Sequence, residues 1–193
     1  MPEHKDEEIV KLSRRRITIA KRLKEVQTET VMTTTYNEVD LSSVIAIRKK
    51  YQDQFVKKHN TKLGFMSFFV KASVNSLQSF PHLNAELHQD ELIVKKYYDI
   101  GIAVATDEGL VVPVLRGADK LSSAEIELGI AELATKSREK KITLQELQGG
   151  TFSITNGGIF GSLMSTPLLN PPQVGILGMH KIMEKPLAVD GEI

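Results

Sequence analysis

The stretch DIGIAVATDEGLVVPVL, residues 99–115, contains two apolar runs of strand length that are separated by the turn-forming letters DEG. Runs that are apolar on both faces are typical of strands at the centre of a sheet. Two more segments have strand composition, TFSIT at residues 151–155 and VGILGM at residues 174–179. We therefore expect a largely buried sheet whose central strands come from residues 99–115.

Four segments around these strands have helical periodicity. Ser13 and Ser42 can each begin a helix, and Ser122 with Glu125 has the spacing of a capping box. Another helix is predicted over residues 67–80, because a proline follows it directly. In chain order, the predicted stripes are Ile17, Ala20, Leu23 and Gln27; Val44, Ile47, Tyr51 and Phe55; Phe69, Ala72 and Leu77; and Ile126, Ile130, Leu133 and Ala134.

Smaller elements complete the pattern. Residues 33–39, TTTYNEV, alternate and are rich in β-branched side chains, which predicts a strand. Residues 86–96 predict a hairpin that turns near residues 89–90, and Thr143 with Glu146 predicts a short capped helix. The mixed order of elements favours an α/β fold, an α+β sandwich with a central mixed sheet and helices.

The chain divides into a short arm and one domain. Residues 1–12 are polar and rich in charge, which is typical of a flexible arm or the remnant of a linker. No internal repeat or low-complexity block interrupts the rest of the sequence. Residues 13–193 are therefore predicted to form a single domain.

Composition excludes several classes of function. The 25 basic and 24 acidic residues leave a net charge of +1, so the charge balance favours neither nucleic acid nor an anionic membrane as partner. The chain has no cysteine, which excludes a disulfide framework, a thiolate metal site and a protein thiol nucleophile. No apolar run approaches the roughly 20 residues that span a bilayer.

Histidines are the first candidates for a base near neutral pH. None of them has metal-ligand spacing, and the sequence contains no HExxH, GxSxG, GxGxxG or phosphate-binding GxxxxGK motif. Three lie in polar surroundings that indicate surface positions, while His82 and His180 adjoin apolar segments and are interpreted as hydrogen-bonded structural residues. The five are His4, His59, His82, His88 and His180.

The stretch GGTFSITNGGIFGSLMSTPLLNPPQ, residues 149–173, is unusually rich in small and turn-forming residues. One interpretation is a tight turn with close backbone packing. The other is a hydroxyl group presented at the end of a strand beside a bound ligand. The residues alone leave both open.

The same stretch carries a resemblance to a known family. TFSITNGGIFGSLMSTPLLNPPQVGILGMH is similar, nearly residue for residue, to a segment of the dihydrolipoamide succinyltransferases, the acyltransferase components of 2-oxoglutarate dehydrogenase complexes. Five other segments resemble that family in order and spacing, over a range from Ser13 to the C-terminus. They are RRRITIAKRL, YNEVDLS, KLGFMSFFVKA, FPHLNAEL and DIGIAVATDEGLVVPVLR.

The resemblance implies a fold like that of chloramphenicol acetyltransferase and a trimer whose active sites lie between subunits. It implies a hollow cage of eight trimers, to which the E1 and E3 enzymes of the complex bind. A succinyl group would pass between dihydrolipoyl-lysine on a separate lipoyl domain and coenzyme A, a substrate, with no metal. Such a protein would work in the tricarboxylic acid cycle, in the bacterial cytoplasm or the mitochondrial matrix.

Two site residues follow from the resemblance. Thr155 matches the hydroxyl residue that stabilises the oxyanion, and Arg48 matches a position that contacts the phosphate end of coenzyme A; the alternative for Arg48 is a solvated helix arginine. The family's catalytic histidine lies in a C-terminal His-Arg-x-x-Asp-Gly motif that this sequence lacks. We therefore expect a C-terminally truncated catalytic core, and expect residues 1–193 alone to be inactive.

Three alternatives remain open at the level of sequence. The chain could be an assembly scaffold that forms the cage without catalysing a reaction. It could carry an acetyl or a branched-chain acyl group instead of succinyl. A hydrolase that uses Thr155 as its nucleophile is disfavoured, because no histidine has a recognisable partner pattern.

Overall fold

A computed structural model of the protein describes residues 6–188 and Gly191. The helices are α1 (Arg14–Glu29), α2 (Ser42–His59), α3 (Met66–Ser79) and α4 (Ser123–Arg138). The strands are β1 (Ala85–His88), β2 (Glu91–Val94), β3 (Ile100–Ile102), β4 (Val104–Thr106), β5 (Gly109–Val111), β6 (Val114–Leu115), β7 (Phe152–Asn156) and β8 (Ile176–Met179). This mixture of helices and strands confirms the predicted α/β class.

A four-stranded mixed sheet forms the centre, in the order β6-β3-β7-β8. The strand β3 lies antiparallel to β6 and parallel to β7, and β7 is in turn parallel to β8. The predicted hairpin is confirmed as β1 and β2, with Gln89 at a positive φ of 51° in its turn. Residues 149–173 thus supply a central strand, and the segment before 180 supplies an edge strand.

The hydrophobic core lies between one face of this sheet and the helices α3 and α4. Residues two apart in a strand share a face, so Ile100 and Ile102 point to the core together with Ile154 of β7. Burying a side chain of this size contributes about 1.5–3 kcal/mol. The other core members are Val70, Val74, Leu77, Leu115, Ala118, Ile126 and Leu133.

The prediction that both apolar runs of 99–115 lie at the centre of one sheet is only half right. Each run is divided, and only β3 and β6 join the central sheet. The middle portion, β4 and β5, turns at Asp107 and Glu108 into a separate two-stranded ribbon. Ala103 still bonds to β7 through its N–H and the carbonyl of Ile154, but Pro113 has no N–H with which to extend the ladder between β3 and β6.

The predicted strand at 33–39 is wrong. This segment has no strand partner among the described residues, and it forms an extended link between α1 and α2. Its β-branched composition fits a pleated surface but cannot create the neighbour that a ladder requires. An ion pair between Glu38 and Lys185 connects it to the chain after β8.

Local helix signals were more reliable. Ser13 caps α1 by accepting a hydrogen bond from the N–H of Arg16, and Ser122 with Glu125 forms both bonds of the predicted capping box of α4. Asp40 accepts from the N–H of Ser42 at 2.8 Å, where the serine itself was expected to open α2. The predicted short helix is confirmed as a 3-10 turn at residues 145–147.

The predicted helix stripes were less accurate. In α3, Leu77 is buried but Ala72 is exposed and Phe69 only half-buried, because the core-facing side includes serines that the periodicity of apolar residues does not count. In α1, Ile17 and Leu23 are each 43% exposed, and no described residue of α2 is buried. These two amphipathic faces have no cover within the described part of this chain.

The charged cluster at the end of α4 should make stability depend on pH. The Thr143 N–H and the Lys136 ammonium both donate to Glu146 at 2.9 Å, and these bonds lower the pKa of Glu146 to about 2. A carboxylate with a lowered folded-state pKa stabilises the protein above its unfolded value of 4.5, and that contribution disappears as the pH falls towards 2.

Glu146→Gln should therefore reduce the free energy of unfolding most above about pH 4.5, and the difference from the parent should shrink towards pH 2. Urea unfolding at a series of pH values measures this difference in the free energy of unfolding. Glu91→Gln, at an exposed carboxylate of the hairpin, is the control and should leave the curve nearly unchanged. A parent–variant difference that stays constant over this pH range contradicts the assignment.

Candidate active site at the end of strand β7

The alternation of β7 places Thr155 away from the core. Ile154 is fully buried against the helices, so Ser153 and Thr155 point to the opposite face of the sheet. Ser153 is buried on that face, whereas Thr155 is half-buried near the carboxyl end of the strand. Within residues 6–188 the Thr155 hydroxyl has no hydrogen-bond partner. It is therefore a donor available to a bound molecule.

The neighbouring strand places a glycine beside Thr155. In the parallel pairing of β7 with β8, Thr155 lies opposite Gly178, so both residues lie on the same face of the sheet. A Cβ atom at Gly178 would come within 2.7 Å of Cγ of Pro167 and 3.5 Å of Cε1 of His180. Glycine thus allows the proline ring and the imidazole to pack closely against β8, on the same face as Thr155.

A hydrogen bond joins His180 to Ser165 close to Gly178. The hydroxyl oxygen of Ser165 lies 2.8 Å from Nε2 of His180. This confirms the interpretation of His180 as a hydrogen-bonded residue. Ser165 was not recognised from the sequence, because a separation of fifteen positions from His180 gives no periodic signal.

The loop after β7 is held against the end of β8 by its backbone. The N–H of Gly157 bonds to the carbonyl of Met179 at 2.9 Å, and the N–H of Lys181 bonds to that of Ser162 at 3.0 Å. A Cβ atom at Gly158 would lie 2.5 Å from the carbonyl oxygen of His180, so a side chain cannot fit there. The close-packing interpretation of the glycine-rich stretch is therefore right at this position, and it is compatible with a presented hydroxyl at Thr155.

The same loop, directly after β7, exposes large apolar side chains. Ile159 and Phe160 are 70% and 71% exposed, and Leu163 and Met164 are 60% and 61% exposed. Four such side chains on one backbone-anchored loop form a surface that is suited to contact another molecule. We refer to residues 159–164 as the apolar loop.

Two residues before Thr155 in β7, Ser153 forms a buried polar pair with Gln173. Ser153 donates to the side-chain oxygen of Gln173, and both residues are buried. Gln173 follows two prolines that lead into β8. Its role was missed from the sequence, where a single glutamine before an apolar strand carries no distinctive pattern.

Arg48 lies on α2 and has no hydrogen bond to the group around Thr155 among the described residues. Its Nε donates to the carbonyl of Leu63 at 2.8 Å, and its guanidinium carbon lies 3.9 Å from the ring centre of Phe65. The alternative of a freely solvated helix arginine therefore does not describe this side chain. The structure does not bring the two predicted site residues into contact.

The remaining histidines contribute no site. His82 is exposed and has no hydrogen bond within residues 6–188, so its interpretation as a bonded structural residue is wrong; it lies in an exposed 3-10 turn after α3. His88 is exposed beside Glu86, as expected of a surface residue. His59 packs against Phe55 at a ring distance of 4.8 Å. His4 lies outside the described residues.

In the described part of the chain, no three residues with histidine, cysteine or carboxylate side chains lie close enough to hold a metal ion. Over the same residues, none of the helices combines the length and apolar character needed to cross a membrane.

The sequence of this chain matches a known protein family. Residues 4–193 match the family model "2-oxoacid dehydrogenases acyltransferase (catalytic domain)". The succinyltransferase component of the 2-oxoglutarate dehydrogenase complex of Bacillus subtilis is 65% identical over 96% of this chain, and that of Staphylococcus aureus (strain USA300) is 56% identical over 93%. The chain spans 44% and 43% of the length of these two relatives.

Solved structures agree with the sequences. A probable dihydrolipoamide acetyltransferase of Listeria monocytogenes superposes with a TM-score of 0.92 at 32% identity, over 96% of this chain and 80% of that one. The dihydrolipoamide acetyltransferase of Azotobacter vinelandii, studied for a serine, a histidine and an asparagine in its catalytic mechanism, gives 0.92 at 32% identity, over 99% and 81%. The chain therefore belongs to the 2-oxoacid dehydrogenase acyltransferase family and contains its catalytic domain.

Proposed function

We propose that this domain transfers a succinyl group between coenzyme A and a dihydrolipoyl group, as the acyltransferase of a 2-oxoglutarate dehydrogenase complex. The observation that carries the proposal is the Thr155 hydroxyl, which has no partner in the described chain and lies on the sheet face opposite the core, in register with Gly178. The choice of succinyl over acetyl is supported by the 65% identity to a succinyltransferase, against 32% to the acetyltransferase structures.

The chemistry requires an oxyanion donor. When the thiol of one substrate attacks the thioester carbonyl of the other, a carbon–sulfur bond forms and the carbonyl oxygen becomes negatively charged. A donor fixed where this charge develops stabilises the transition state more than the ground state. Thr155 can supply it, because the pairing of β7 between β3 and β8 holds its backbone. The intermediate then collapses and expels the second sulfur, which takes up the proton.

The chemistry also requires a base for the attacking thiol, whose unperturbed pKa is about 8.5. In the family that the sequence resembles, this base is a histidine in a C-terminal motif, contributed by a neighbouring subunit. Thr155 would then form one half of a shared site. His180 is a poor substitute, because its Nε2 is already engaged with Ser165.

A shared site implies self-association, which the surface supports. The apolar loop follows directly after the strand that carries Thr155, and the faces of α1 and α2 are left uncovered by the described part of the chain. Burial of such surfaces is the usual driving force of stable subunit contacts. We propose a trimer within a larger cage, served by a lipoyl domain and by the E1 and E3 enzymes.

The removal of the Thr155 hydroxyl tests the assignment in the full-length protein. Thr155→Ala should lower kcat by about 10²–10³, the usual cost of deleting one oxyanion donor, with little change in either KM. Thr155→Ser is the matched control and should retain most activity, because the donor remains. Steady-state kinetics with succinyl-coenzyme A and dihydrolipoamide measure both, and an alanine variant with the parent kcat contradicts the role.

The second assigned residue, Arg48, should affect binding instead of the chemical step. A contact to a remote phosphate is made equally in the ground and transition states, so its loss raises KM and leaves kcat nearly unchanged. Arg48→Ala should therefore raise KM for coenzyme A by the equivalent of about 1.5–3 kcal/mol. Lys49→Ala, at the exposed neighbouring position, is the control. An unchanged KM removes Arg48 from the binding site.

A further inference from the structure

The short turn that joins α2 to α3 is held by side chains of two helices, α2 and α4. We refer to residues 63–67 as the 63–67 turn. On one side, Arg48 of α2 donates from Nε to the carbonyl of Leu63 at 2.8 Å and stacks on the ring of Phe65 at 3.9 Å. The turn therefore provides both the acceptor and the aromatic surface that orient the guanidinium.

On the other side, a carboxylate of α4 holds the turn. Oε1 of Glu127 accepts a hydrogen bond from the backbone N–H of Ser67 at 3.0 Å, at the first turn of α3. This N–H has no acceptor within its own helix, so the carboxylate satisfies it and also interacts favourably with the positive end of the helix. Glu127 thereby fixes where α3 begins.

The carboxylate of Glu127 can lie this close to the turn because residue 64 is a glycine. A Cβ atom at Gly64 would lie 2.6 Å from Oε2 and 2.9 Å from Oε1 of Glu127, closer than real Cβ contacts allow. Any side chain at this position would displace the carboxylate. The contact between the turn and α4 therefore depends on the absence of a side chain at residue 64.

The guanidinium that the turn orients keeps two donor groups available. Arg48 uses Nε and one face of its plane, and within residues 6–188 its two Nη groups have no hydrogen-bond acceptor. A planar guanidinium held by its Nε and one face presents its remaining N–H groups in a fixed direction, which suits the recognition of a phosphate.

From this arrangement we propose that Glu127 is a positioning residue for Arg48. It acts through Gly64 and the 63–67 turn, and it sets the affinity for the phosphate end of coenzyme A without touching the ligand. The inference rests on the proposed role of Arg48. Its physical basis is that an arginine which is already ordered loses less side-chain freedom when it binds a phosphate.

The test uses the full-length protein and calorimetric titration with coenzyme A. Glu127→Ala should raise Kd about two- to tenfold, the range expected when one long side chain must be ordered on binding. KM for coenzyme A should rise in parallel, while kcat and KM for dihydrolipoamide stay at the parent values. A purely structural role would instead reduce the active fraction and leave Kd unchanged, which overturns the proposal.

Three further variants isolate the cause. Gly64→Ala displaces the same carboxylate and should reproduce the Kd of Glu127→Ala; it also serves if Glu127→Ala does not fold. Glu127→Gln keeps a side-chain oxygen that can accept from the Ser67 N–H, and it should stay near the parent. Ser67→Ala removes a buried hydroxyl that has no partner in the described chain but keeps the N–H, so it should also bind like the parent.

A double-mutant cycle separates this inference from the proposed function. If Arg48→Ala leaves Kd unchanged, the assignment of Arg48 fails and the inference fails with it. If Arg48→Ala weakens binding and Glu127→Ala does not, only the inference is overturned. The expected result is that Glu127→Ala weakens binding in the parent and has no further effect in the Arg48→Ala background; an equal effect in both backgrounds shows that Glu127 acts by another route.

Discussion

The alternation of β7 is the constraint on which the rest of the structure depends. A strand in a sheet must send successive side chains to opposite faces, so Ile154 enters the core and Thr155 necessarily points away from it. The parallel partners β3 and β8 fix the register of this strand. A slip by one residue would bury the threonine and expose the isoleucine. The alternation of side chains along β7 therefore determines both the packing of the core and the position of the candidate donor.

Close packing around the two predicted site residues depends on residues that have no side chain. Gly178 lets the ring of Pro167 pack against β8 beside Thr155, and Gly158 lets the following loop approach the carbonyl of His180. The loop gains no freedom from these glycines, because backbone bonds tie it to the end of β8. Gly64 has the same function at the other predicted site residue, where it admits the carboxylate of Glu127. Glycine is needed at these three positions because neighbouring atoms pack closely against them, more than because the backbone must be flexible there.

Sequence reasoning succeeded where the signal was local. The capping box of α4 needs only Ser122 and Glu125, three residues apart, and it was predicted correctly. Residues 33–39 have strand composition but no partner in the described chain, and composition cannot reveal whether a partner exists. Contacts such as Ser165 with His180, or Glu127 with Ser67, join residues that are distant in sequence and appear only after folding. The assignment of Thr155 came from family resemblance, and the structure adds the direction of its side chain and a hydroxyl without a partner among residues 6–188.

The central claim is that Thr155 is one half of a site completed by a neighbouring subunit. The most direct measurement is complementation in the full-length protein. Thr155→Ala chains and chains whose catalytic histidine, in the family's C-terminal motif, is replaced by alanine are co-expressed with different tags and purified through both. The account predicts that the mixed assemblies transfer succinyl faster than either variant alone, because some interfaces combine an intact threonine with an intact histidine. Mixed assemblies that stay at the low rates of the single variants, at every ratio of the two chains, would contradict it.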